Sequence, residues 1–228
     1  MLKKLLEKTN SPINGDITIY SVFGSPKMNI GGLLQSGGVV ADIWKKAIKT
    51  INNQQSFDFA QNRSIISNIL ILGLGCGTVA RIFSKKWPKA KIVGVEIDPE
   101  VIKLGKKYFS LGEIPNLKIV CSDAIKIISN PSTSLRTGHQ LTISNFDLII
   151  VDLYLGEQIP RKSESLIFLK SLKKLLSENG IVIFNRLFWN GHKKKAKLFV
   201  KTTQKVFKQV KLVRTVANLL VFCQKYKR

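Results

Sequence analysis

ILILGLGCGTVAR at residues 69–81, followed by KIVGVEIDPE at 91–100, decides the fold of this 228-residue chain. An apolar run enters a glycine-rich turn, a helix follows, and a second apolar run ends on an isolated acidic pair, Glu96 and Asp98. The pattern predicts a strand over 69–72, a helix over 78–87 stopped by Pro88, and a strand over 91–96. Gly73, Gly75 and Gly77 let the backbone approach a ligand where a Cβ would collide. Glu96 stands 21 positions after Gly75, where an acid closing the second strand accepts hydrogen bonds from ribose hydroxyls. The unit therefore predicts a nucleoside-cofactor site at the carboxyl edge of a parallel sheet. From these residues alone, a generic turn for another nucleotide reads the same way.

Working outward, the same alternation continues. Residues 99–109 predict a helix with Pro99 in its first turn, where a missing N–H costs nothing. Asp98 before it reads as a helix-starting acid favoured by the dipole. A strand over 117–120 and a short helix over 124–128 follow. FDLIIV at 146–151 is a continuous apolar strand, as expected where both sheet faces are covered. A helix over 164–176, a turn at 177–180, a strand over 181–184, a helix over 194–207 and two short strands over 210–213 and 218–222 complete the chain. Strand–helix alternation with short connections gives a doubly wound sheet with right-handed crossovers. Only 130–145, rich in Pro, Gly, Ser and Thr, breaks the rhythm and reads as a surface loop in which His139 is solvated.

Upstream, 17–23 and 28–34 flank Gly24-Ser25-Pro26 as a β-hairpin, and 39–51 carries apolar residues at helical spacing. The polar connector 52–62 marks a boundary, giving a hairpin-and-helix extension over 1–62 and a main domain over 63–228.

Composition narrows the function classes. No apolar run approaches the ~20 residues that span a bilayer, and the start lacks a signal-peptide pattern, which excludes a membrane partner. Cys76, Cys121 and Cys223 are far apart with no CxxC pair, predicting reduced thiols in a cytoplasmic protein and no structural metal. The net charge of +23 is unusual, and 18 basic against 3 acidic residues lie from Glu157 onward. A basic C-terminal half keeps nucleic acid among the candidate partners, beside the bland reading of solvated lysine-rich helix faces. HKKKAK at 192–197 reads as a helix start whose buried face is Leu198, Phe199, Thr202 and Val206.

The element order resembles the class I S-adenosylmethionine-dependent methyltransferase fold, a Rossmann-like α/β doubly wound seven-stranded sheet with a reversed last strand. ILILGLGCGTVAR, VGVEIDPEVIKLGKKYF, LKIVCSDA and FDLIIVDLYLGEQIP, in that order, are similar to the spermidine synthase (polyamine aminopropyltransferase) branch, as is the hairpin with GGLLQSGG at 31–38. The resemblance implies that S-adenosylmethionine or its decarboxylated form is the cosubstrate, with no metal. It puts Gly73, Gly75, Cys76 and Gly77 on the loop that cradles the amino-acid portion and Glu96 on the ribose. It also puts Ile97 against the adenine, and Asp123 with Ala124 at the adenine amino group. Asp152 falls on the first acid of the family's substrate loop and is the candidate catalytic residue. Gln35 falls on a glutamine of the N-terminal segment that lies over the site, Glu157 is a candidate displaced partner of Asp152 on the acceptor side, and the branch implies a homodimer.

Two departures stand out. Aminopropyltransferases carry an aspartate in the glycine loop, where this chain has Cys76, and a second one three residues after the first in the substrate loop, where Leu155 stands. A polyamine is cationic and needs several carboxylates to bind it and take up a proton, so these losses argue against spermidine synthesis. Asp123 also reads as a helix cap, and Cys76 as a small loop residue rather than a nucleophile. NRLFWNGH at 185–192 and Tyr154 read as an acceptor wall suited to a flat or apolar group. The expectation is an alkyl transferase moving a methyl or aminopropyl group to a small-molecule acceptor. An RNA-directed methyltransferase and a non-catalytic cofactor-binding module remain the alternatives.

Overall fold

A computed structural model describes residues 3–52, 66–129, 145–156 and 158–225 of the chain. Four strands open it: β1 (Lys3–Ser11), β2 (Gly15–Val22), β3 (Ser25–Ile30) and β4 (Leu33–Ser36), joined as an antiparallel meander. The expected hairpin is thus the centre of a larger sheet. β1 escapes the sequence pattern because seven of its nine residues are polar and its two leucines are adjacent rather than alternating, with Leu5 61% exposed on an edge strand. The apolar stretch at 28–34 is two strands rather than one, because Gly31 and Gly32 turn the chain with positive φ between them.

α1 (Val39–Asn52) leads into β5 (Asn68–Leu72), α2 (Thr78–Lys86), β6 (Lys91–Glu96), α3 (Pro99–Phe109), β7 (Leu117–Cys121) and α4 (Ala124–Ser129). β8 (Phe146–Val151), α5 (Leu166–Leu175), β9 (Leu176–Leu187), α6 (His192–Gln204), β10 (Gln209–Arg214) and β11 (Asn218–Gln224) follow. The second sheet runs β10-β11-β9-β8-β5-β6-β7, with β11 antiparallel to both neighbours and β9 to β7 parallel. The chain reverses its direction of winding between β5 and β8, and that switch point opens a crevice at the carboxyl ends of the strands.

Alternation in the central strands divides the core. Leu70, Leu72, Ile149, Val151 and Phe184 face α4, α5 and α6, whereas Ile69, Ile71, Leu148, Ile150 and Ile183 face α1 and α2. Both faces are covered, so these strands read as unbroken apolar runs. α1, grouped by its position with the N-terminal extension, buries Ile43, Trp44, Ala47 and Ile51 in the core of the large sheet. The expected boundary at 62/63 lies outside the described residues, as do His139 and most of the 130–145 segment.

Two details differ from the sequence pattern. Residues 177–180 do not separate a helix from a strand but bulge within β9, whose partners jump from Phe146↔Leu176 to Leu148↔Ile181. Asn179, at φ 65, takes the left-handed turn that the bulge needs. On α6 the buried face is Ala196, Phe199, Val200 and Thr203, and Leu198 is 66% exposed, so the packed stripe is rotated from the one expected. No helix of the described residues is long and apolar enough to cross a membrane.

Candidate functional site

The N-terminal sheet is held over the switch point by a small core and a polar latch. Ile17, Ile19, Met28 and Ile30 pack on Val101 and Leu104 of α3, with Cys76 among them. The latch is Asp98: its Oδ1 accepts from the Glu100 amide at 2.9 Å, capping α3, while Oδ2 accepts from Ser11 Oγ at 2.5 Å and Asn14 Nδ2 at 2.7 Å. The same aspartate therefore starts the helix and anchors the β1–β2 turn, burying its charge only where it is fully hydrogen-bonded.

The glycine loop between β5 and α2 is tied from both sides. Glu96, 8% exposed at the end of β6, accepts from the Gly75 amide at 2.8 Å through Oε2, and from the Ile97 and Asp98 amides at 3.0 and 3.1 Å through Oε1. Burial pushes its pKa up, and the three backbone donors oppose that rise. Oε1 is saturated, whereas Oε2 keeps one lone-pair direction for a ligand hydroxyl. From the other side, Ser36 Oγ accepts from the Cys76 amide at 3.2 Å, and the Gly37 amide donates to Thr78 Oγ1 at 3.1 Å. β4 and the turn after it thus form a strap across the loop.

Gly73 needs its missing Cβ for a structural reason: at φ 87, a methyl group there would overlap the backbone of Asp152 on the neighbouring strand end. At Gly75 an added Cβ would meet only Ser36 Oγ, at 3.4 Å, so this position faces open cleft. The cleft is walled by Gly75, Glu96, Ile97, Ala124 and Asp152, and Gln35 reaches it from the strap. Asp123, next to Ala124 of the wall, accepts from the Ile125 amide at 2.8 Å through Oδ1 and caps α4. The Cys76 thiol faces away from the cleft, 1% exposed and 3.2 Å from Met28 Sδ, and burial pushes its pKa up to about 12. It is a neutral core group. No side chain caps the first turn of α2, which begins at the cleft wall with Thr78 and Val79.

A second chamber adjoins the cleft, and Gln35, Asp152 and Tyr154 line both. Three side chains expected on the acceptor side therefore meet at the junction; Glu157 lies outside the described residues. Gln35 Nε2 donates to the Gly156 carbonyl at 3.3 Å, and the Tyr154 hydroxyl donates to the Asn185 carbonyl at 2.9 Å. The walls beyond are apolar: Leu33, Leu34, Val40, Ile43, Leu187 and Trp189.

Asp152, half-buried at the end of β8, is the carboxylate of this junction. Asn185 Nδ2 donates to its Oδ1 at 2.9 Å, and Asn218 Nδ2 donates to Asn185 Oδ1 at 2.9 Å, fixing which end of the Asn185 amide faces the acid. Burial raises the Asp152 pKa from 3.8 to about 6, opposed by Asn185 and by Trp44. The Trp44 indole N–H is completely buried, falls short of a full hydrogen bond to any described residue, and still favours the ionised acid. Asn185, Asn218, Ser36 and Trp44 are the participants that the sequence did not disclose. Asn185 lies within the NRLFWNGH run, but its pairing with Asp152 spans 33 residues and carries no local signal.

Residues 59–222 match the family model described as the Spermine/spermidine synthase domain. A polyamine aminopropyltransferase of Vibrio vulnificus (strain CMCP6) is 33% identical over 117 residues, covering 51% of this chain and 36% of that protein. A mouse eEF1A lysine and N-terminal methyltransferase is 24% identical over 157 residues, covering 68% of this chain and 22% of that protein. The chain thus spans about a third or less of the length of these curated relatives. Among solved structures, a probable spermidine synthase from Corynebacterium glutamicum ATCC 13032 superposes with a TM-score of 0.74 at 19% identity, covering 98% of this chain and 80% of that one. That likeness extends over the N-terminal sheet as well as the Rossmann-like unit.

Proposed function

The chain belongs to the Spermine/spermidine synthase domain family, and from that membership we propose that it is a transferase taking S-adenosylmethionine as cosubstrate and passing its methyl group to an acceptor held at Asp152. The cleft fits the nucleoside: Gly75 leaves room at the loop, Glu96 Oε2 keeps an acceptor site for ribose, and Ile97 and Ala124 offer apolar walls for a base. The intact cosubstrate is favoured over the decarboxylated one by charge. An aminopropyl ammonium needs an anion to replace its hydration, and the glycine loop over residues 73–77 presents no acid to the cleft. A carboxylate, by contrast, is welcome at the uncapped start of α2.

The observation that carries the reading is the position of Asp152, one carboxylate shared by cleft and chamber. The bound sulfonium supplies an electrophilic carbon and a neutral leaving group. The protein's work is then to place a nucleophile in line, exclude water and receive a proton. Asp152, poised near 6, accepts a hydrogen bond from the nucleophile when ionised. Asn185 and Asn218 keep its carboxyl plane fixed.

Side-by-side calorimetry with S-adenosylmethionine and its decarboxylated form tests this. The intact form is expected to bind at least about tenfold tighter, because it adds an anion that the helix start can hold. Glu96→Gln should weaken that binding by at least about tenfold, because the new NH2 group opposes backbone amides that need an acceptor. Preference for the decarboxylated form would overturn methyl transfer in favour of aminopropyl transfer, and absence of binding by either would overturn the assignment.

A further inference from the structure

The chamber beyond Asp152 is built for one positive charge. Asp152 is the single carboxylate among its described lining residues, which include no Lys or Arg. One oxygen of that carboxylate, Oδ1, is taken by Asn185, and no described residue donates a hydrogen bond to Oδ2. The neighbouring polar groups are already spent: the Tyr154 hydroxyl on the Asn185 carbonyl, and the Asn185 amide between Asp152 and Asn218. Gln35 Nε2 donates to the Gly156 carbonyl, and the walls beyond are apolar, formed by Leu33, Leu34, Leu187 and Trp189.

Taking the transfer reading above as its basis, we propose that the acceptor is a monoamine: one primary amine on an apolar alkyl or aryl body, its nitrogen on Asp152 Oδ2 and its body against Leu33, Leu34, Leu187 and Trp189. Burial of a second ammonium along those walls meets no carboxylate among the described residues and forfeits its hydration, so diamines and longer polyamines are rejected by desolvation. Leu155, 41% exposed, stands where the aminopropyltransferase pattern has the second acid of this loop. A neutral alcohol of the same length gains the apolar contacts but not the charge-assisted hydrogen bond.

The experiment uses the full chain saturated with S-adenosylhomocysteine, so that binding is read without turnover. Calorimetric titrations compare n-hexylamine, 1,6-diaminohexane and 1-hexanol, which share a body and differ in charge. The monoamine is expected to bind at least about tenfold tighter than the diamine and the alcohol. Asp152→Asn should bring n-hexylamine and 1-hexanol to similar affinity. Val39→Glu adds a carboxylate at the chamber rim, on a residue 54% exposed at the first position of α1, where an acid also suits the helix dipole. It should move the preference toward the diamine by about threefold or more. A diamine bound as tightly as the monoamine by the unmodified chain would overturn the proposal. So would no binding by any of the three while S-adenosylhomocysteine still binds, an outcome that leaves the transferase reading standing. Failure of S-adenosylhomocysteine itself to bind would overturn both.

Discussion

Asp152→Asn is expected to make the ligand-free protein more stable at neutral pH. The pKa of this carboxyl rises from 3.8 to about 6 on folding, because the strand end buries it. An acid whose folded pKa is raised binds its proton more tightly in the native state. Its ionisation therefore opposes folding, with the cost growing as pH rises from about 4 to about 6 and complete above that. At about 1.4 kcal/mol per pH unit, the full cost is on the order of 3 kcal/mol, and water reaching the cleft side of the half-buried carboxyl reduces it, so a gain of about 1–3 kcal/mol at pH 8 is expected. Asparagine preserves the shape, and its carbonyl can still accept from Asn185 Nδ2. Guanidinium unfolding of both proteins, followed by tryptophan fluorescence, gives the difference directly. From pH 4.5 to 8 it should widen by about two-thirds of that gain, roughly 0.7–2 kcal/mol, in favour of the variant. A variant equally or less stable at pH 8, or a difference that does not change with pH, would refute the argument that this acid is kept in place for function at the expense of stability.

Cys76→Asp, which restores the acid that aminopropyltransferases have in this loop, should not create a polyamine site. The side chain at 76 points into the core of Met28, Val101 and Leu104, so the change buries an unpaired carboxyl. A loss of roughly 3 kcal/mol or more is expected in the same unfolding assay, and stability equal to the parent would contradict this placement. Asp98→Ala removes the α3 cap and both bonds to the β1–β2 turn. The expected loss is about 2–4 kcal/mol, with hydrogen-exchange protection falling first in β1 and β2; uniform loss of protection across the chain would speak against a latch.

Where the sequence was most legible, elements are short and locally patterned. The helix at Pro99–Phe109 and the strands Lys91–Glu96 and Phe146–Val151 have the bounds that their patterns predict. A proline at a first helical turn and apolar runs flanked by polar breaks are signals contained within a few residues. β1 was illegible because an exposed edge strand needs no apolar face, and the bulge in β9 because pairing with β8, not local preference, holds those residues in the sheet.

By itself, then, the sequence determined the Rossmann-like alternation, the glycine loop with Glu96 at its far strand, and Asp152 as an acid at the end of a buried strand. These follow from periodicity and spacing, which the chain carries locally. The tertiary structure alone decided which way the groups point. It turned the Cys76 thiol into the core and Asp123 onto a helix start, made Asp98 a latch for the N-terminal sheet, and set Asn185 and Asn218 behind Asp152. It also joined Leu33 and Leu34 of the first sheet to Leu187 of the second, and to Trp189 just beyond it, in one apolar chamber. Side-chain direction and the pairing of residues distant in sequence are set by packing of whole layers, and no window of sequence contains that information.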